Sequence, residues 1–81
     1  MMNKILDQYI GEEFLIADGF NEAIIGVEEN EMKLIYSVAK CLKILEEEMT
    51  ELEAIDYFTF NISGAYVGEK TPIWCWDNFE I

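Results

Sequence analysis

The sequence predicts one α+β domain in which a small antiparallel sheet is packed against two or three helices. Three observations lead there: two β-branched runs flank a polar break, a long stretch carries apolar residues at helical spacing, and an aromatic segment follows the single proline. At 81 residues the chain has room for one hydrophobic core, so residues 1–81 read as a single domain. A content of 52% apolar and 14% aromatic residues is enough to build that core and argues against wholesale disorder.

Met2, Ile5, Leu6, Tyr9 and Ile10 recur at steps that suit a helix, and Gly11 stands where a left-handed cap would, so residues 3–10 read as a short amphipathic helix. Residues 14–17 are a short apolar run ended by Asp18 and Gly19, the composition of a fourth strand. Residues 23–27 (AIIGV) and 32–36 (MKLIY) flank Glu28, Glu29, Asn30 and Glu31, a break of suitable length for a hairpin loop. Ser37 can cap the next helix, whose inward stripe is Val38, Cys41, Leu42, Leu45 and Met49. The run Thr50, Glu51, Leu52, Glu53 matches a capping box, in which the hydroxyl accepts from a backbone amide while the acid reaches back. A second helix is then expected to about residue 66, with Leu52, Ile55, Phe58, Ile62 and Ala65 as its apolar face and Ala54 and Tyr66 beside it. Gly68 can end it, and Pro72 opens a strand over residues 71–76.

The charge balance narrows the partners. Seventeen Asp and Glu stand against five Lys, with no Arg and no His, a formal charge of −12. Direct nucleic-acid binding is therefore not expected, because it needs clustered cations to displace counterions from phosphates. An anionic membrane surface is disfavoured for the same reason. No stretch approaches the run of about 18 apolar residues that a membrane span needs, and the first residues lack the pattern of a secretory signal. Cys41 and Cys75 are too few and too isolated for a disulfide framework or a zinc site, which suits a reducing cytoplasm.

The segment GAYVGEKT, residues 64–71, approaches a phosphate-binding loop but carries Glu69 where the loop needs glycine before its lysine. A carboxylate there repels phosphate, and the segment follows a helix where the motif should follow a strand. Gly64, Gly68 and Pro72 are better read as packing, turn and strand-opening residues. The runs DGFNEAIIGV (18–27), TELEAIDYF (50–58) and FNISGAYVGEKTPIW (60–74) together resemble a family of small uncharacterised proteins of bacteriophages and prophages, with DGFxxAIIGV and FNxxGAYVGExTPxF patterns. The resemblance covers most of residues 14–74, and the final WCWDNFEI departs from it. It implies a phage-type accessory protein acting inside a bacterial host cell, and it assigns no residue a role.

Enzymatic chemistry is not expected. Without His there is no ordinary base at neutral pH, and without Arg there is no bidentate anion clamp. No catalytic residue, cofactor or metal ligand is assigned; the acidic segments lack calcium-loop spacing. Cys41 lies on an inward stripe and reads as a core thiol, and Asn61 as a buried hydrogen-bonding residue. Trp74 and Trp76 share one face of their strand with Cys75 on the other, so the indoles either cover the helices or mark a contact surface.

The strongest local anomaly is KILEEEMTELEAID, residues 43–56. Glu46, Glu47 and Glu48 end a helix, where the macrodipole disfavours negative charge, whereas Glu51 and Glu53 open the next one favourably. With Asp56 they project acid from one corner, either as a solvated turn or as an array presented to a basic groove, with Asp18, Glu22 and the Glu28, Glu29, Glu31 loop as further candidates. The expected function is inhibition of a host protein with a basic, nucleic-acid-binding site, such as a defence nuclease, by charge mimicry. Those six carboxylates would recruit the partner and Tyr66, Trp74 and Trp76 would hold it. The competing expectations are a small structural homo-oligomer, in the simplest case a homodimer, and a protein adaptor without nucleic-acid mimicry.

Overall fold

The hairpin forms one residue later than the two β-branched runs place it in the computed structural model, which describes residue 5, residues 14–65 and residues 68–79. Strands β1 (Ile24–Glu28) and β2 (Lys33–Ser37) pair antiparallel, with Val27 opposite Leu34 and Glu28 opposite Lys33. The Glu28 carboxylate shapes the turn between them by accepting the backbone N–H of Asn30 at 3.1 Å and of Glu31 at 2.8 Å. The Glu31 bond is the main reason that this carboxyl is held below its usual range. Met32 closes the loop in the left-handed region, at φ 54°. The register shifts between Ile24 and Gly26, so Ile25 is an extra residue that bulges from β1 and stays exposed.

Strand β3 (Ile73–Cys75) lies on the other side of β2 and runs parallel to it, Tyr36 opposite Trp74 and Ser37 opposite Cys75. The fold is α+β as expected, but the sheet is mixed, which corrects the wholly antiparallel reading. Side-chain alternation defines the faces of a strand and carries no direction. The long helical connection between β2 and β3 returns the chain to the starting end of β2, as a parallel pairing requires.

Among the described residues the sheet has three strands. Residues 14–17 form no ladder; Ala17 N instead donates to the Tyr36 hydroxyl at 2.8 Å, and Phe14 and Ala17 pack on the core. The helix read over residues 3–10 lies outside the described residues except for Ile5, which also packs on the core.

Helix α1 (Val38–Leu45) begins at Ser37, whose Oγ accepts from Lys40 N at 3.1 Å, and it buries Val38, Cys41 and Leu42. It stops short of its apolar stripe. Glu46, Glu47 and Glu48 form a turn whose amides bond back to Leu42, Ile44 and Leu45, while Met49 still reaches the core. Three consecutive carboxylates at the negative end of a helix dipole favour that early exit.

Helix α2 (Glu51–Tyr57) opens with both bonds of the capping box: Thr50 Oγ1 accepts from Glu53 N at 3.2 Å and Glu53 Oε1 accepts from Thr50 N at 2.9 Å. From Phe58 to Ser63 the chain continues as a wider π-helical segment, and Ala65 N closes a turn onto Ile62 O at 3.2 Å. The buried positions are Ala54 and Phe58, with Ile62 partly buried against the core, in steps of four. Leu52 and Ile55, expected on the inward face, are exposed. Leu52 precedes Phe58 by six residues, about 120° round an α-helix, so the two cannot share one face.

The core is built around two rings. Tyr36 and Phe58 are fully buried, and Trp74 packs against both, at centroid distances of 5.0 Å and 5.3 Å.

Candidate protein-binding face

Because only Ala54 and Phe58 are buried in α2 and the π-helical segment that continues it, most of the surface of this helical unit faces solvent. Glu53, Asp56, Tyr57 and Phe60 recur at steps of three and four, so they share one side. With Met49 and Asn61 they line a shallow depression in which, among the described residues, there is no lysine. Leu52 is 76% exposed and Phe60 is 79% exposed, unusual values for large apolar side chains on one short helical unit. The Glu53 carboxyl is held below its ordinary range by the Thr50 amide and hydroxyl, so it is ionised at neutral pH.

Tyr57 and Asn61 form a ridge along this face, with Asn61 Nδ2 donating to Tyr57 O at 3.2 Å. Asn61 is thus exposed and bonded within its own helical segment, which corrects its reading as a buried hydrogen-bonding residue. On the far side of the ridge lies an apolar groove of about 420 Å³. Segment 15–18 forms one wall, Ile62 and Ala65 another, and Pro72 and Trp74 complete it.

The six carboxylates singled out in the sequence are all exposed, but they do not form one array. Glu51, Glu53 and Asp56 belong to α2. Glu47 instead faces Glu22 across a depression that Lys40 and Lys43 also line, with Glu46 and Glu48 in the same turn. The Glu28, Glu29, Glu31 loop, at the far end of β1 from the Asn21–Ala23 turn, lines neither the acidic depression nor the apolar groove. Cations partly neutralise that tip: Lys33 Nζ is 3.5 Å from Glu31 Oε2, and Lys70 Nζ donates to the Glu31 and Met32 carbonyls at 2.8 and 3.1 Å. Asp18 stands at the apolar groove.

The aromatic candidates separate as well. Trp74 belongs to the core and shows only a wall to the groove; its Nε1 is buried without a hydrogen-bond partner among the described residues. Trp76 meets the edge of Phe58 at 5.7 Å and is 45% exposed. Tyr66 lies outside the described residues. Sequence reasoning missed Tyr57 and Phe60 because a uniform helical stripe hid them. The signal was Ala54: a small residue four positions before Phe58 allows close approach of the helix and marks the buried line.

Other chemistry finds little support. Burial, and secondarily Asp77, pushes the Cys41 thiol up to about 12, so it stays protonated and inert in the core. Among the described residues no group of three or more His, Cys, Asp or Glu side chains is placed to hold a metal ion, and no helix is long and apolar enough to cross a membrane. Compared with protein-family models, with curated proteins and with solved structures, the chain matches none.

Proposed function

We propose that this chain is a phage-type accessory protein, without enzymatic activity of its own, that binds a basic site on a host protein in the bacterial cytoplasm and blocks it. The occupied site is one that normally takes nucleic acid, as on a defence nuclease, and the mimicry is of charge. The observation that carries this reading is the outward face of α2, where Glu53 and Asp56 stand beside Tyr57 and the exposed Phe60 with no lysine among the described residues lining the depression. Carboxylates steer a basic partner over a distance, and desolvated aromatic contacts then hold it.

Pairing of two copies through this face is the weaker alternative. A symmetric contact would set Glu53 and Asp56 of each copy against those of the other, in molecules that each carry −12. The tagged protein is to be incubated with host lysate at low and at high ionic strength, beside a Glu51→Lys, Asp56→Lys variant that leaves the capping box intact. The expected result is a basic protein that only the unaltered chain retains, only at low ionic strength, and that a DNA oligonucleotide displaces. Retention indifferent to salt, to the reversal and to DNA refutes charge mimicry.

A further inference from the structure

We propose that the face is bipartite and recognises one segment of its partner: the apolar groove receives a bulky apolar side chain, and Glu53 and Asp56 take a lysine or arginine of that same segment. The inference rests on reading the α2 face as the docking surface for a basic partner, and adds how that partner is read.

Two depressions that look separate share a border. Tyr57 and Asn61 line both the apolar groove and the acidic depression. Because the same two side chains line both depressions, the border between them is a single row of side chains, and one bound segment can reach both sides. At about 420 Å³ the groove lies within the range of roughly 300–1,000 Å³ that ligand pockets occupy, ample for a leucine or an aromatic ring. Its Ile62, Ala65 and Pro72 walls offer such a ring shape and apolar contact.

Charge selects the occupant. Among the described residues, the charged groups lining the two depressions are Asp18, Glu53 and Asp56, all acidic. Asp18 lines the groove itself and Glu53 and Asp56 lie beyond its Tyr57 and Asn61 border, so an apolar anchor arrives most favourably with cations next to it. A fatty acid, a nucleic acid or a second copy of this chain would bring negative charge to the same place. A basic amphipathic peptide, with cation and anchor three or four positions apart, satisfies both halves at once.

The probe is a set of three labelled synthetic peptides of equal length, titrated into the full chain: one combining lysines with a Leu and Trp anchor, one with the same lysines and serine for the anchor, one with the same anchor and serine for the lysines. The combined peptide is expected to bind at least about tenfold more tightly than either control, and Ala65→Trp, which fills the groove, to cost it about tenfold. Methyl NMR shifts at Leu15 and Ile62 of the unaltered chain give a readout that does not depend on the folding of a variant. Equal binding of the combined and lysine-only peptides, no shift at those methyls, or no binding at all overturns the bipartite site. The parent reading is judged apart from it. If Glu51→Lys, Asp56→Lys abolishes capture of a basic host protein while Ala65→Trp leaves it unchanged, charge mimicry stands and the groove is not used.

Discussion

Asp77 closes the N-terminus of α1 through Ser37: the Ser37 hydroxyl donates to Asp77 Oδ2 at 2.6 Å while accepting from Lys40 N at 3.1 Å. The other carboxylate oxygen accepts from Ala39 N at 2.9 Å, so the residues after β3 are tied to the helix start. Burial pushes this carboxyl up, but the bonds from Ser37 and Ala39 outweigh it and leave it below its ordinary value. A carboxyl lowered by folding contributes stability above its unfolded value of about 4, and that stability is lost as pH falls through the folded value. Asp77→Asn should therefore cost about 1 kcal/mol at neutral pH, a figure kept small because Asp77 is largely exposed. Urea midpoints of the two proteins should converge as pH is lowered below about 4. A gap that persists in acid would refute the ionised clamp.

Salt acts in opposite directions on fold and partner. At −12 the molecule repels itself, so raising ionic strength from about 0.01 to 0.15 M, which shortens the screening length from about 30 to 8 Å, should raise the melting temperature. Partner capture over the same range should weaken. A melting temperature that falls with added salt would contradict the view that excess charge is carried at a cost in stability.

The inside and outside of α2 and the π-helical segment after it are distinguishable by substitution. Phe58→Ala removes a ring that touches both Trp74 and Trp76 and should cost roughly 3–5 kcal/mol. Leu52→Ser and Phe60→Ser should each change stability by less than about 0.5 kcal/mol, because neither side chain is buried. Denaturant unfolding of the three variants checks this ordering, and comparable losses in all three would mean that Leu52 and Phe60 are packed.

The thiols give a simple check on burial. Cys41 is fully buried and Cys75 is half-buried on β3. A thiol reagent should label one cysteine per chain in the native protein and two in denaturant. Two prompt equivalents in the native state would place Cys41 outside the core.

Local signals with a specific chemistry were legible from sequence: the Thr50 to Glu53 capping box and the Ser37 cap form as read, and the hairpin forms with each strand one residue later than read, so that Glu28 pairs with Lys33. Long-range relations were not. The parallel pairing of Tyr36 with Trp74 depends on the path of two intervening helices, and the Asp77 bond to Ser37 joins residues 40 positions apart. The π-helical segment from Phe58 carries no distinctive residue pattern, yet it shifts which side chains the α2 unit presents. Hence the acidic residues of the candidate site were visible at once, whereas their aromatic neighbours Tyr57 and Phe60 emerged only from the structure.

The most direct test compares two reversals of equal charge. One replaces Glu51 and Asp56 of α2 by lysine; the other replaces Glu29 and Glu31 at the hairpin tip by lysine. Capture of the host protein at low ionic strength is measured for both against the unaltered chain. A site-specific face predicts that the first loses the partner and the second keeps it. Equal loss in both would mean that only overall charge matters, and retention by both would mean that the carboxylates of α2 are not what the partner recognises.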